Sequence, residues 1–223
     1  MKAKHHLSKE YYERLAKLLL ENALPDTYSN LIMLDRPDLL STEQDEGIEV
    51  VRSLLLNEGE AEGRFKRMVE KKPEDIPPKD VEAFEMLGYK TLTSNEVICG
   101  YTSISASWIS IEPIQKNYIK KINKLPHYCL HSVNSLFIFA PLFNYYDCND
   151  ILEFFLWVEK TNNSYSLKYD KVFVYDEPNF HLYDSKRSSI CSYRFPQEII
   201  HKLCERAKAE SNLRCPACPT SPS

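Results

Sequence analysis

Apolar residues recur at helical spacing from the start of the chain. Tyr11, Leu15, Leu18 and Leu19 fall on one side of a helix between Ser8 and Asn22, with Lys and Glu elsewhere and Pro25 closing the segment. Tyr28 to Leu34 is a short apolar run that ends in Asp35-Arg36-Pro37-Asp38, which predicts a strand stopped by a proline turn. A polar bridge from Ser41 to Gly47 leads to Ile48-Glu49-Val50-Val51-Arg52-Ser53-Leu54, read as a second strand whose leucine end could turn helical. Charged residues with apolar spacing at Ala61, Phe65, Met68 and Val69 predict a surface helix over Glu58 to Lys72, ended by Pro73, Pro77 and Pro78. A short helix from Lys79 to Leu87 then stops at Gly88, a residue type that accepts the left-handed conformation at a helix terminus.

The stretch from Glu96 to Ile111 is β-branched and aromatic, which predicts one or two strands. Pro113 suits a first helical position, and Ile114, Tyr118, Ile122 and Leu125 form an apolar stripe on a helix that Pro126 stops. Leu136-Phe137-Ile138-Phe139-Ala140 is wholly apolar, so it predicts a strand buried on both faces and with it a central sheet. Ile151 to Val158 fits a helix or a buried strand, because periodicity does not separate the two. Lys171 to Tyr175 and Phe180 to Tyr183 predict late strands around the Asp176-Glu177-Pro178-Asn179 turn, and Pro196 opens a last amphipathic helix through Ile199, Ile200, Leu203 and Ala207. The pattern as a whole predicts one α/β domain, Met1 to Glu210, with a mixed central β-sheet flanked by helices and a flexible C-terminal tail from Ser211 to Ser223.

Composition narrows the function classes. With 28 basic against 32 acidic residues, the net charge of -4 excludes coating of nucleic acid or anionic membrane by bulk charge, so any such contact is local. No run approaches the roughly 18 apolar residues of a bilayer span, and the polar start from Met1 to Lys9 carries no apolar signal core, so the expected location is cytoplasmic. Seven cysteines form an odd, scattered set and are expected to be reduced.

The residues that carry chemistry lie between Asp35 and Val51. A proline-turned aspartate at a strand end, followed by a glutamate inside the next strand, places two carboxylates together, and such a pair suits a hard divalent cation such as Mg²⁺. Left unpaired, the two would repel, and a divalent ion would relieve that repulsion. Pro37-Asp38 with Glu49 on the following strand resembles the PD-(D/E)XK nuclease superfamily, whose core is a helix, strands carrying the motif, a helix and a further strand. The resemblance implies a restriction-endonuclease-like fold and a Mg²⁺-dependent nuclease, or a degenerate relative of one, acting on nucleic-acid phosphodiesters. It makes Asp38 and Glu49 the metal ligands, with Asp35 an alternative. The family's lysine two residues after the second acidic residue is Val51 here, on the same sheet face as Glu49. Some members draw that charge from a helix, and the Pro113 to Leu125 segment offers Gln115, Lys116, Lys120, Lys121 and Lys124, of which Lys116 or Lys120 is expected to stand in. Gln115-Lys116-Asn117-Tyr118 loosely echoes the glutamine-tyrosine helix motif of some members, with the spacing shifted by one residue.

Other patterns carry less. Lys116, Lys120 and Lys124 recur every four residues and predict a basic stripe that could follow the backbone of DNA or RNA, or a solvated helix face. Cys215-Pro216-Ala217-Cys218 has the spacing of half a zinc site or a redox pair, but with no second pair and no strand-to-helix context it reads as part of a dispensable tail. His127 and His131 are four apart, but Pro126 interrupts a shared helix face. Five glycines leave no dinucleotide fingerprint, and no serine-histidine-aspartate order can be assembled. The alternative to an enzyme is a non-enzymatic protein-binding module using an aromatic surface around Tyr145, Tyr146 and Trp157.

Overall fold

A seven-stranded mixed sheet forms the centre of the protein, in the strand order β1-β2-β3-β6-β7-β8-β9. The computed structural model describes residues 8–53, 58–103, 110–140 and 146–212. Helix α1 (Lys9–Ala23) is capped by the Ser8 hydroxyl, which accepts from the Tyr11 amide at 3.2 Å. Three strands follow: β1 (Ile32–Met33), β2 (Leu39–Ser41) and β3 (Glu46–Arg52), paired antiparallel in that order. The run from Tyr28 thus yields only two residues of strand, and Asp38 lies immediately before β2 instead of closing the first strand. The strand carrying Glu49 is the third.

Strands β3, β6 (Val133–Phe139) and β7 (Lys171–Asp176) are parallel neighbours. Parallel neighbours need crossovers. Helix α4 (Glu112–Ile122) leads into β6, and helix α5 (Cys148–Asn162) links β6 to β7. The segment left open between helix and strand is helical; its Asp147 forms a reciprocal capping box with Asp150. Strands β8 (Asn179–Asp184) and β9 (Ser189–Arg194) extend the sheet antiparallel. Strand β9 was absent from the sequence pattern because five of its six residues are exposed at the sheet edge and carry no apolar alternation.

Alternation along the two central strands divides the core. Leu136, Ile138, Val172 and Val174 pack under α4 and α5, while Phe137, Phe139, Phe173 and Tyr175 pack under α1 and helix α6 (Gln197–Asn212). The α/β class with a mixed central sheet flanked by helices is therefore borne out. Helix α6 continues through Ser211 and Asn212, two residues beyond the expected start of the tail; Cys215 and Cys218 lie outside the described residues.

Between β3 and α4 the chain builds a separate small unit. Helices α2 (Glu58–Met68) and α3 (Pro78–Met86) pack with the hairpin β4 (Tyr89–Ser94) and β5 (Val97–Ser103) around Ala61, Met68, Ile76, Phe84, Tyr89 and Ile98. Asn95 and Glu96 both have positive φ in the two-residue turn of that hairpin, the geometry that matches strand twist. Gly88 has φ 87° after α3, as its position predicts. The second strand expected before Ile111 falls outside the described residues; β4, ahead of β5, is its actual partner. No described helix is long and apolar enough to cross a membrane.

Candidate acidic site at the open edge of the third strand

Strand β2 pairs only with Glu46, Gly47 and Ile48, so β3 runs on past its neighbour from Glu49 to Arg52. The amide groups exposed there need partners. Asp38, in the bend just before β2, supplies one: its Oδ2 accepts from the Val50 amide at 2.7 Å. Its Oδ1 meets Lys9 Nζ at 2.9 Å, and the same ammonium lies 2.7 Å from Glu13 Oε1 one turn along α1. Asp38 is buried at 3% exposure and Glu13 at 8%. Burial pushes the Glu13 carboxyl up, Lys9 opposes this, and neighbouring Asp38 raises it further. Burial alone would lower the Lys9 ammonium, but the two carboxylates outweigh it and raise it.

Glu49, next to the amide that binds Asp38, is 7% exposed and projects toward α4. There its Oε2 accepts from Lys121 Nζ at 2.9 Å, with both side chains largely buried. Helical phase explains the choice of lysine. At about 100° per residue, Lys121 stands roughly 60° from Tyr118 and 20° from Ile114, both fully buried, whereas Lys116 and Lys120 each stand about 160° from Tyr118 and Lys124 lies beyond the end of the helix. Lys116 is exposed and pairs with Glu112 at 2.9 Å, and Lys120 and Lys124 are exposed. The helix lysine that meets the acidic residue is thus Lys121, a correction to the expectation of Lys116 or Lys120. Asp35 is exposed in the turn and joins no ion pair among the described residues. Val51 does share the α4 side with Glu49, as alternation requires.

Two tyrosines complete the surroundings. Tyr169 is fully buried, with its hydroxyl 3.4 Å from the Lys121 carbonyl, and its pKa is raised by burial first and by Glu49 next. Tyr128 is half-buried, with its ring centroid 6.0 Å from Lys121 Nζ. Burial raises its hydroxyl, Lys121 opposes, Glu49 and Asp38 add, and Arg36 opposes. All these groups therefore share one neighbourhood. No family model, no curated protein and no solved structure matches this chain.

The arrangement departs from the expected bare acidic pair. Glu49 pairs with Lys121 and Asp38 shares Lys9 with Glu13, so the anticipated crowding of unpaired charges is absent. Among the described residues no three His, Cys, Asp or Glu side chains converge on a common point fit to hold a metal. Mg²⁺ takes one or two carboxylates and keeps most of its waters, so for Asp38 or Glu49 to hold such an ion Lys9 or Lys121 would have to give way. Lys9, whose side chain is 71% exposed, is free to yield its place; Glu49 Oε1 accepts no hydrogen bond among the described residues.

Two further polar centres were not read from the sequence. Glu46, fully buried, accepts from Tyr28 at 3.0 Å through both oxygens, from Lys171 at 2.7 Å and from Ser135 at 2.5 Å. Every oxygen is satisfied, which marks it as a structural clamp across β3, β6 and β7. Asp45 binds His131 Nδ1 at 3.0 Å together with the Ser132 amide and hydroxyl, and these bonds, Ser132 first, hold its carboxyl down at about 2. Of the aromatic surface expected around Tyr145, Tyr146 and Trp157, Tyr146 is buried at 6% exposure, Trp157 is half-buried against Tyr118 and Phe154, and Tyr145 lies outside the described residues.

Proposed function

We propose that the chain is a nuclease-like protein whose Asp38 and Glu49 hold Mg²⁺ at a nucleic-acid phosphodiester, with Lys121 in the place of the lysine that Val51 lacks. The observation that carries this reading is the Lys121 to Glu49 contact, made by a helix 72 residues further along the chain. The element order supports it: α1, then β1 to β3 carrying Asp38 and Glu49, then α4 and β6 parallel to β3, follows the core of the PD-(D/E)XK superfamily with the α2 to β5 unit inserted.

The roles follow from position. Val50 N–H and Lys9 fix the Asp38 carboxylate; Lys121 fixes Glu49 and holds a positive charge beside it. Bound Mg²⁺ would supply a Lewis acid and a more acidic water. Lys121, largely desolvated on Tyr169 and Tyr128, keeps that charge oriented toward the reacting phosphate. Lys120 and Lys124 would receive flanking phosphates of DNA or RNA. Incubation of the full chain with single- and double-stranded DNA and RNA, in Mg²⁺ or Mn²⁺, is expected to give cleavage that Glu49→Gln abolishes and Lys121→Met reduces at least a hundredfold. Cleavage that persists in Glu49→Gln would refute the assignment.

A further inference from the structure

The proposed site has positive charge, but that charge is already engaged: Lys121 pairs with Glu49, and Lys9 bridges Asp38 and Glu13. A substrate phosphate needs donors that are not committed elsewhere. Two groups beside the acidic pair have no hydrogen-bond or ion-pair partner among the described residues, the Arg36 guanidinium and the Tyr128 hydroxyl. Arg36 stands exposed two residues before Asp38. Tyr128 stands half-buried with its ring beside Lys121. Buried tyrosines here bond their hydroxyls, Tyr28 with Glu46, Tyr118 with Asn162, Tyr146 with the Ser110 carbonyl and Tyr169 with the Lys121 carbonyl, while Tyr175 does not among the described residues; Tyr128 is less buried than any of them, and its hydroxyl is within reach of a ligand from solvent.

We propose that Arg36 and Tyr128 are the substrate-contacting groups of this site, Arg36 laying its planar fork on a phosphodiester of a nucleic-acid strand and Tyr128 donating its hydroxyl to the same anion. This rests on the proposed nuclease-like reading of Asp38 and Glu49. The chemistry suits the place. A guanidinium binds phosphate bidentately, while a phenol donates without adding charge that would compete for the acidic pair. Lys116 and Lys120 stand about 140° and 100° around α4 from Lys121 and serve the strand only outside the site. Free phosphate offers the same anion, so the two sources have to be separated by experiment.

Binding of fluorescein-labelled single-stranded DNA to the full chain, followed by anisotropy in EDTA so that no turnover occurs, tests the assignment. Arg36→Gln and Tyr128→Phe are each expected to weaken binding about five- to tenfold. Arg36→Gln should reduce the slope of log affinity against log salt by about one, and Tyr128→Phe should leave it unchanged. Both variants should melt with the wild type, because neither group bonds to another group among the described residues. Affinities within twofold of wild type in both variants, with Mg²⁺-dependent cleavage still lost in Glu49→Gln, would overturn this inference and leave the acidic site standing. Weakened binding in both variants without any metal-dependent cleavage would overturn the nuclease reading and leave the anion contact standing. Inorganic phosphate that binds as tightly as the oligonucleotide would overturn the strand as the ligand.

Discussion

Removing the Lys121 ammonium while keeping its stem tests the pair at the centre of the site. Lys121→Met retains the apolar contacts and leaves Glu49 charged and only 7% exposed. Breaking one side of a fully buried pair costs about 3–5 kcal/mol. The Lys121 side chain is 17% exposed, so water recovers part of this, and about 2–3 kcal/mol is expected. For a domain of this size that lowers the melting temperature by about 5–10 °C. Glu49→Gln keeps an acceptor and strands only the better solvated partner, so about 1 kcal/mol is expected. The double variant should return to within about 1 kcal/mol of wild type, giving a coupling energy near 2 kcal/mol by urea unfolding at neutral pH. The same series reads the cation. With Lys121 gone, Glu49 lacks its internal counter-charge, so Lys121→Met should bind Mg²⁺ more tightly than wild type; Mg²⁺ at ten times the variant's Kd should stabilise the variant by about 1.4 kcal/mol and wild type by less. A coupling energy near zero would mean that the contact contributes nothing. An equal response to Mg²⁺ in wild type, Lys121→Met and Glu49→Gln would remove Glu49 from any cation site.

Three further outcomes are expected. Lys171→Met should cost about 3–5 kcal/mol in urea unfolding, because Glu46 is fully buried and keeps only Tyr28 and Ser135; a loss under 1 kcal/mol would mean that the clamp does not depend on the ammonium. Gly47→Ala places a methyl 2.5 Å from His131 Cδ2, so about 1–3 kcal/mol of destabilisation is expected, most of it relieved when His131→Ala is added, and an additive double variant would show that the ring is not the obstacle. Burial holds the His181 imidazole down at about 4, so the folded state favours the neutral ring. That contribution is full above pH 6.5 and is lost as pH falls toward 4, so about 2 kcal/mol should disappear between pH 7 and pH 4.5 and be largely absent in His181→Gln; parallel pH profiles for the two proteins would contradict it.

The elements most legible in the sequence are those whose periodicity comes from burial. The stripe Ile114, Tyr118, Ile122 and Leu125 fixes α4, and the unbroken run Leu136 to Phe139 fixes a two-faced strand. Elements that failed to announce themselves bury little or are very short: β9 lies at an edge, and β2 is three residues defined by its partner. At the site, Asp38 and Glu49 were legible as neighbours because a proline turn and a strand phase place them. Their counter-ions were not. The choice of Lys121 over Lys116 or Lys120 was present in the phase of α4, since the lysine sharing the buried stripe, not the regular basic one, reaches the sheet. Lys9 and Glu13 carried no such signal, because they meet Asp38 only through the docking of α1 beside the bend before β2.

The insertion of the α2 to β5 unit between β3 and α4 gives the site a place in the order of folding. Glu49 and Lys121 close a span of 72 residues, and the parallel pairing of β3 with β6 closes a longer one. Contacts so far apart in sequence form only after the intervening chain has been gathered in, and they form slowly. The insert has its own apolar cluster and condenses locally, so it shortens the effective span that the ends must bridge. Until α4 settles on β6, Glu49 is an unneutralised carboxylate on a strand with an open edge. The ion pair therefore closes only once α4 has come to lie over β3, so its presence reports that the insert has been spanned and this crossover is in place.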